Sequence, residues 1–341
     1  MVYRLNAGTV IDQDGNLQIE NLYATGLNPN LSFVGIGGNA SVARVAGGRE
    51  TVPAGVISTI DGFPLIAGTN ASDVGDLTVA TYYNSGASST THGYSVGGGY
   101  NPPFSDRDVI SKFPFSAIGN ATDVGDLPNA RHGGAGAHSP SHGYNLNGAQ
   151  FPGSPPTINT NEIVKFAFAS DGNGSDVGDT TQARRYSTGT SSETHAYAAG
   201  GYNASPTTSN IIDNTPFASD TNSSDVGDLT QARWQGGSTG ASSLTHGYKI
   251  AGSSDSGPTK VDTIDKFPFS SNANAADVGE LTMGTSYGTT GISSETHGYA
   301  AGRGYPPITN NIDRFPFSAD GSSADVGDLT EARYALSGTQ G

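Results

Sequence analysis

The sequence predicts an all-β fold built from six copies of one unit, and three observations predict it. Asp-Val-Gly-Asp, once Asp-Val-Gly-Glu, begins at Asp73, Asp123, Asp176, Asp225, Asp277 and Asp325, so the steps are 50, 53, 49, 52 and 48 residues. Thr91-His92-Gly93-Tyr94 returns on the same beat in variants at His142, His195, His246 and His297. Phe113-Pro114-Phe115 returns at Phe166, Phe267 and Phe315, with weaker versions at Phe63 and Phe217. A fixed period of this length marks stacked supersecondary units, none of which can bury its apolar residues alone.

Residues 225–276 show the elements of one unit in order. Asp225-Val226-Gly227-Asp228 opens it with turn chemistry, since Asp oxygens hold nearby amides and Gly accepts positive φ. Residues 234–238 predict a short strand, and a Gly/Ser-rich turn follows. Residues 245–252 predict a second strand, whose small residues suit a place near the centre of a ring. After a loop with Gly257-Pro258, residues 261–269 predict a third strand. Its Ile264 and Phe267 fall on opposite faces of a regular strand, so both faces are buried by neighbours. Pro268 removes a ladder donor and places this strand at the periphery or at its own end. No segment keeps a helical spacing of apolar residues.

Composition narrows the function classes. Only 34% of the 341 residues are hydrophobic and 49 are Gly, but the apolar residues recur at fixed places, which disorder would not require. The charge is 16 basic against 31 acidic residues, a net of −15, with no basic run, which argues against nucleic acid and anionic membrane partners. No stretch is apolar enough for a spanning helix, and the first residues lack the apolar core of a signal peptide. The absence of cysteine excludes disulfides and thiolate metal sites.

The order of motifs resembles the kelch repeat of β-propellers. Gly97-Gly98 and Gly200-Gly201 match its glycine pair. Asn147-Gly148 and Ala251-Gly252 keep the second glycine, and Gly302-Arg303 keeps the first. Arg131, Arg184, Arg233 and Arg333 match its closing arginine, with Thr81 and Thr285 in that slot elsewhere; the kelch tryptophan is missing. The resemblance implies a β-propeller of about six four-stranded blades over residues 31–341, with seven as the alternative, and implies no chemistry by itself. Ring closure is expected to join residues 334–338 to residues 42–47, with residues 33–37 competing for the same slot.

The repeats also resemble those of virion structural proteins of tailed bacteriophages, marine ones in particular. Residues 1–30 stand outside the repeat and look like the attachment segment of a fibre or appendage protein. So short a segment must dock or oligomerise to find a core. The resemblance implies a non-enzymatic tail fibre, appendage or decoration protein, located in the virion and assembled in the host cytoplasm. It would bind other virion proteins through residues 1–30 and form a homo-oligomer, most simply a trimer. The alternative is a lectin-like propeller that recognises host-surface glycans.

Candidate sites are few. Five histidines in register would form a ring far wider than one metal ion's coordination sphere, so capping or packing roles are expected. The Asp-rich segments have too few carboxylates in most copies for calcium, and Asx turns account for them better. No catalytic or cofactor site is expected, because no unique polar cluster breaks the repeat; Arg131, His132 and His138 read as variable loop residues. Tyr100, Pro102 and Phe104, with Tyr202 and Tyr305, are the candidate interaction loops for glycan or protein.

Overall fold

The computed structural model describes residues 41–341 except positions 52–53, 66–67, 102, 154–155, 205–206, 236, 255–259, 286 and 305–306. The expected arm at 1–30, the competing segment at 33–37, and Pro102 and Tyr305 lie outside the described residues. Within them there are only strands, joined as six four-stranded antiparallel blades of a β-propeller. In chain order, β1 (Val42–Ala46), the hairpin β2 (Arg49–Thr51) and β3 (Ala54–Val56), β4 (Thr59–Pro64) and β5 (Ser72–Asp76) belong to the first blade or its loop. The second blade is β6 (Ser85–Ser88), β7 (His92–Tyr100), β8 (Ser105–Pro114) and β9 (Thr122–Asp126); the third is β10 (Ala135–His138), β11 (His142–Gln150), β12 (Ile158–Ala167) and β13 (Ser175–Asp179). The fourth is β14 (Thr188–Ser191), β15 (His195–Ala204), β16 (Thr207–Pro216) and β17 (Ser224–Asp228); the fifth is β18 (Ala241–Ser242), β19 (His246–Ser253), β20 (Lys260–Pro268) and β21 (Ala276–Thr285). The sixth is β22 (Thr290–Ser293), β23 (His297–Arg303), β24 (Thr309–Pro316) and β25 (Ala324–Asp328). Finally β26 (Ser337–Gln340) pairs with β1, Arg44 opposite Thr339, and closes the ring as the innermost strand of the first blade.

Two sequence expectations are corrected. The innermost strand is the Gly/Ser run before each histidine turn, read from sequence as a turn, while the His-Gly-Tyr strand lies second from the axis. Asp-Val-Gly-Asp, read as an opening turn, is the outermost strand. Glycine explains the first correction: a Cβ on Gly136 would lie 2.2 Å from the carbonyl oxygen of Gly86, and one on Gly189 would lie 2.1 Å from that of Gly136. Only glycine lets six backbones approach this closely on the axis.

The repeated motifs build the contacts between blades. Six apolar clusters each combine residues of two adjacent blades, as where Tyr94, Val96 and Ile110 meet Val164 and Phe166. The tyrosine of His-Gly-Tyr meets the second phenylalanine position of the next blade: ring centroids are 4.7 Å apart for Tyr94–Phe168, 4.8 Å for Tyr197–Phe269 and 4.9 Å for Tyr248–Phe317. The motif's glycine makes room for its own blade's phenylalanine, since a Cβ on Gly143 would be 2.1 Å from the ring of Phe166. In the fourth blade Ala196 replaces that glycine, and the residue opposite it is Thr215 rather than Phe. Only the first blade places Ala43 opposite Phe63.

The Asp-rich strand holds its neighbour in the same way in five of the six blades, and in the fifth Glu280 N donates to Ser322 Oγ instead. Asp73 Oδ1 accepts from the amide of Gly75 (3.0 Å), and the amide of Asp76 donates to Asn120 Oδ1 of the next blade (3.0 Å). The equivalent of the second bond closes the ring from Asp328 to Asn70 (3.1 Å). These are Asx turns locked between blades.

The closing arginines enter buried ion pairs with the following blade. Arg184–Asp213 (2.9 Å), Arg233–Asp265 (3.1 Å) and Arg333–Asp61 (2.9 Å) have side chains wholly removed from solvent. The hydroxyl and amide of Thr181, Thr230 and Thr330 reach the same carboxylates. Where Thr285 fills the arginine slot, Arg303 comes from β23 to pair with Asp313. Where Thr81 fills it, the carboxylate is also gone, and Thr78 Oγ1 meets Ser111 Oγ at 2.8 Å. In the third blade Val164 stands at the aspartate's position in the register, and Arg131 pairs with Glu162 instead.

The axis is closed. Seven positions separate Arg233 from Gly240, against five from Arg184 to Gly189, and the longer linker crosses the centre. The carbonyl of Ser238 accepts from Gly136 N (2.9 Å) and Gly189 N (3.1 Å), and its hydroxyl donates to Asn84 O (2.7 Å). Thr239 Oγ1 accepts from Gly338 N (3.2 Å). The expected strand at 234–238 is therefore an axial crossing, and the innermost strand β18 is only two residues long.

Candidate functional site

Antiparallel pairing puts the connections of each blade on two faces. On the turn face lie the links between first and second strands and between third and fourth strands. On the loop face lie the links between second and third strands and the linkers from blade to blade.

The turn face repeats itself. Each recurring histidine accepts or donates at Nδ1 with its own neighbour's hydroxyl at 2.8 Å: Thr91–His92, Ser141–His142, Thr194–His195, Thr245–His246 and Thr296–His297. Burial lowers the pKa of all five imidazoles. Among the described residues no three His, Asp or Glu side chains converge to hold a metal ion. At the axial mouth, backbone amides pass head to tail to side chains of the next innermost strand: His138 N to Ser191 Oγ (2.9 Å), Ser242 N to Ser293 Oγ (2.7 Å), Gln340 N to Ser88 Oγ (3.1 Å). The cavity there, about 20 Å³, has room for little more than one water.

The loop face varies from blade to blade. One linker residue bridges to the end of the second strand in five blades, Tyr82 with Gly99, His132 with Ala149, Arg185 with Tyr202, Trp234 with Ser253 and Tyr287 with Gly304, and in the first blade Tyr334 bridges to Arg49 of the hairpin strand β2. The next residue has a left-handed backbone, including the non-glycine Tyr83 (φ 54°), Tyr186 (φ 58°), Gln235 (φ 57°) and Ala335 (φ 58°). Such a conformation costs an L-residue roughly 1–2 kcal/mol. It turns the peptide groups tangentially, and a chain of hydrogen bonds runs around the axis from Gln235 N to Tyr186 O, Tyr186 N to Gly133 O, Gly133 N to Tyr83 O, Tyr83 N to Ala335 O and Ala335 N to Gly288 O (2.6–3.1 Å). The strain therefore has a structural account.

The side chains on this frame form a belt. Tyr83 and Tyr186 pack over the axis with centroids 4.6 Å apart, and Gln235 Nε2 donates to Tyr83 Oη (2.9 Å). Burial raises both phenol pKa values, that of Tyr83 strongly. Trp234 lies 5.5 Å from Tyr186 and 4.9 Å from Tyr202. Arg185 sits between aromatic rings, 4.9 Å from Tyr202 and 5.4 Å from Tyr186, and its Nη1 donates to Asn159 Oδ1 (2.9 Å). Arg49 lies over Tyr82 (5.6 Å) and Arg107 over Tyr100 (4.9 Å).

The belt contains a polar cluster that sequence reasoning did not find. His132 Nδ1 meets Asp106 Oδ1 at 2.8 Å, both side chains at most 3% exposed. Phe104 stands edge-on to His132 (5.5 Å) and to Phe151 (4.6 Å). Asp106 and His132 are 26 positions apart, so only the register of β8 against the next linker unites them. His132 and Arg131, read as loop residues, are buried, and His138 belongs to the innermost strand β10. Of the candidate interaction residues, Tyr100, Phe104 and Tyr202 lie half-buried on this face, each against a neighbour in the belt. The usable signal was the departure of His132, Arg185 and Trp234 from the tyrosine that holds the same repeat position at Tyr82, Tyr287 and Tyr334.

No protein-family model matches the chain, and no curated protein is significantly similar to it in sequence. The fold defines its class: a six-bladed β-propeller closed by β26, with one repetitive face and one varied face.

Proposed function

We propose that the chain is a non-enzymatic structural protein of a phage virion, a tail fibre, appendage or decoration protein, using the propeller as an exposed interaction platform. The observation that supports a platform is the contrast between faces: five of the six blades repeat the histidine turn on the turn face, while one linker position on the loop face holds Tyr in three blades and His, Arg and Trp in the other three. The virion assignment rests on the likeness of the repeats to phage structural proteins, and the order of motifs carries the kelch-like description. Attachment is assigned to residues 1–30, with a homo-oligomer, most simply a trimer, as the assembled form. Deleting residues 1–30 is expected to leave a folded, monomeric propeller by circular dichroism and sedimentation that no longer joins the particle. Incorporation of the truncated chain would refute the attachment.

Asp106–His132 is the kind of unique cluster an enzyme blade would carry. Its imidazole is covered by Phe104, Tyr83 and Tyr186, which supports a packing role over proton transfer to a substrate. The second reading, recognition of a host glycan, is favoured by Trp234 in contact with both Tyr186 and Tyr202 beside Arg185, since aromatic rings with a polar neighbour suit the two sides of a sugar.

A further inference from the structure

We propose that the belt on the loop face binds a carboxylate-bearing saccharide, with Arg185 meeting the carboxylate and the adjoining Trp234 and Tyr202 rings receiving the sugar face. This inference rests on the glycan reading given above and specifies its ligand class.

The argument is one of charge. The protein is strongly acidic, with a net of −15. Lys112, Lys165 and Lys266, outside the belt, each meet an aspartate at 2.7–2.9 Å. The arginines at the blade junctions are buried against Asp or Glu. Arg44 and Lys249 are buried and donate to Phe115 O and Thr188 Oγ1, and Arg314 lies near His297, outside the belt. On the loop face, Arg49, Arg107 and Arg185 each lie over a tyrosine ring, and none forms an ion pair within the described residues. Arg185 is already oriented, set between the rings of Tyr186 and Tyr202 and fixed through Nη1 by Asn159; its Nε is buried, so a ligand would meet the guanidinium from its Nη end. A guanidinium with its orientation fixed and donors to spare matches a planar carboxylate, and little further side-chain entropy is lost on binding.

The spacing favours a saccharide over a polyanion. Arg49, Arg107 and Arg185 belong to the first, second and fourth blades and are separated by uncharged rings, whereas a nucleic acid needs a continuous basic track to displace counterions. Stacking rings between isolated cations suit a chain of sugars in which only some units are charged.

The test is binding of the full-length protein to matched oligosaccharide pairs: sialylated and desialylated, and uronic acid oligomers with their carboxyl-reduced forms. An oligodeoxynucleotide of equal charge is the third arm. Expected are binding to at least one acidic member, a loss of about tenfold or more for its neutral partner and for Arg185→Ala, and weakening by salt. Lys112→Ala, outside the belt, should leave binding unchanged. If Arg185→Ala does not fold, Arg185→Lys keeps the charge without the fork and should still weaken binding. Equal binding of neutral and acidic members would overturn the charge assignment and leave the glycan reading standing. Binding of no saccharide would overturn both, and preference for the oligonucleotide would reassign the belt.

Discussion

The buried Arg184–Asp213 pair offers a quantitative test, because the second blade already contains its replacement. Asp213 is wholly buried and accepts from Arg184 Nη2 (2.9 Å), Thr181 N (3.2 Å) and Thr181 Oγ1 (2.6 Å). Arg184 Nη2 also donates to Ala198 O (2.9 Å), while its Nε and Nη1 have no partner. Burial pushes the carboxyl of Asp213 up and the guanidinium of Arg184 down, so desolvation opposes the charged form of both. Removing either alone strands a buried charge, at about 3–5 kcal/mol. The double variant Arg184→Thr/Asp213→Ser copies Thr81 and Ser111 and leaves no charge behind. Its remaining cost is the cavity where the arginine stem lay, about 1–3 kcal/mol. At roughly 2 °C per kcal/mol, each single change should lower Tm by about 6–10 °C and the double by less than either. Calorimetry on wild type, both singles and the double completes the cycle. A double variant that loses the sum of the two single effects would refute the account of the pair as a coupled, interchangeable lock.

Alkaline titration followed by tyrosine absorbance should lag the usual phenol range, because burial raises Tyr144 and Tyr248 to about 12 and raises Tyr83, Tyr94 and Tyr197 as well. With folded values above the unfolded one, this stability is complete below pH ~10 and is lost as pH rises toward 12; a native protein titrating fully near 10 would contradict it. Gly189→Ala should destabilise by at least about 3 kcal/mol, since its Cβ would meet backbone on the axis, whereas Gly119→Ala, with nothing within 4 Å, should be near neutral by thermal melt. Chelator should leave the melting temperature unchanged, as the first aspartate of each Asp-rich strand already accepts from its own turn; a calcium site at a hundredfold excess over Kd would add about 2.7 kcal/mol.

The blade count was legible because each copy repeats one set of junction contacts, and periodic contacts leave a periodic sequence. Closure was legible too: the expected partner of residues 42–47 is β26, shifted a few positions toward the C-terminal side. The innermost strand was not, because Ser-Gly-Ala-Ser at 85–88 has the composition of a turn and becomes a strand only where six glycine backbones meet. The role of the closing arginines was also hidden, since Arg184 and Asp213 lie 29 positions apart in different motifs. The belt escaped for a related reason. His132 and Asp106 belong to different blades, and a search for a local constellation does not join them.

Variation within the six copies separates structure from function more sharply than repetition does. At the locks, a change in one place is answered in another. Thr81 comes with Ser111, Thr285 with the guanidinium of Arg303, and Ala196 with Thr215. Each pair preserves a filled, satisfied junction, which is what folding requires. At the belt, one geometric position holds Tyr82, Tyr287 and Tyr334 in three blades and His132, Arg185 and Trp234 in the others, and the residues bridging to the last three are Ala149, Tyr202 and Ser253. A Cβ on Gly99 would meet the Tyr82 ring at an ordinary 3.4 Å, so no tight steric demand sets that pairing. The stack of Arg185 on Tyr202 with Trp234 beside the same ring recurs at no other junction among the described residues. Diversity that the fold does not require, gathered on the one face where neighbouring linkers meet, is the physical reason to place recognition there.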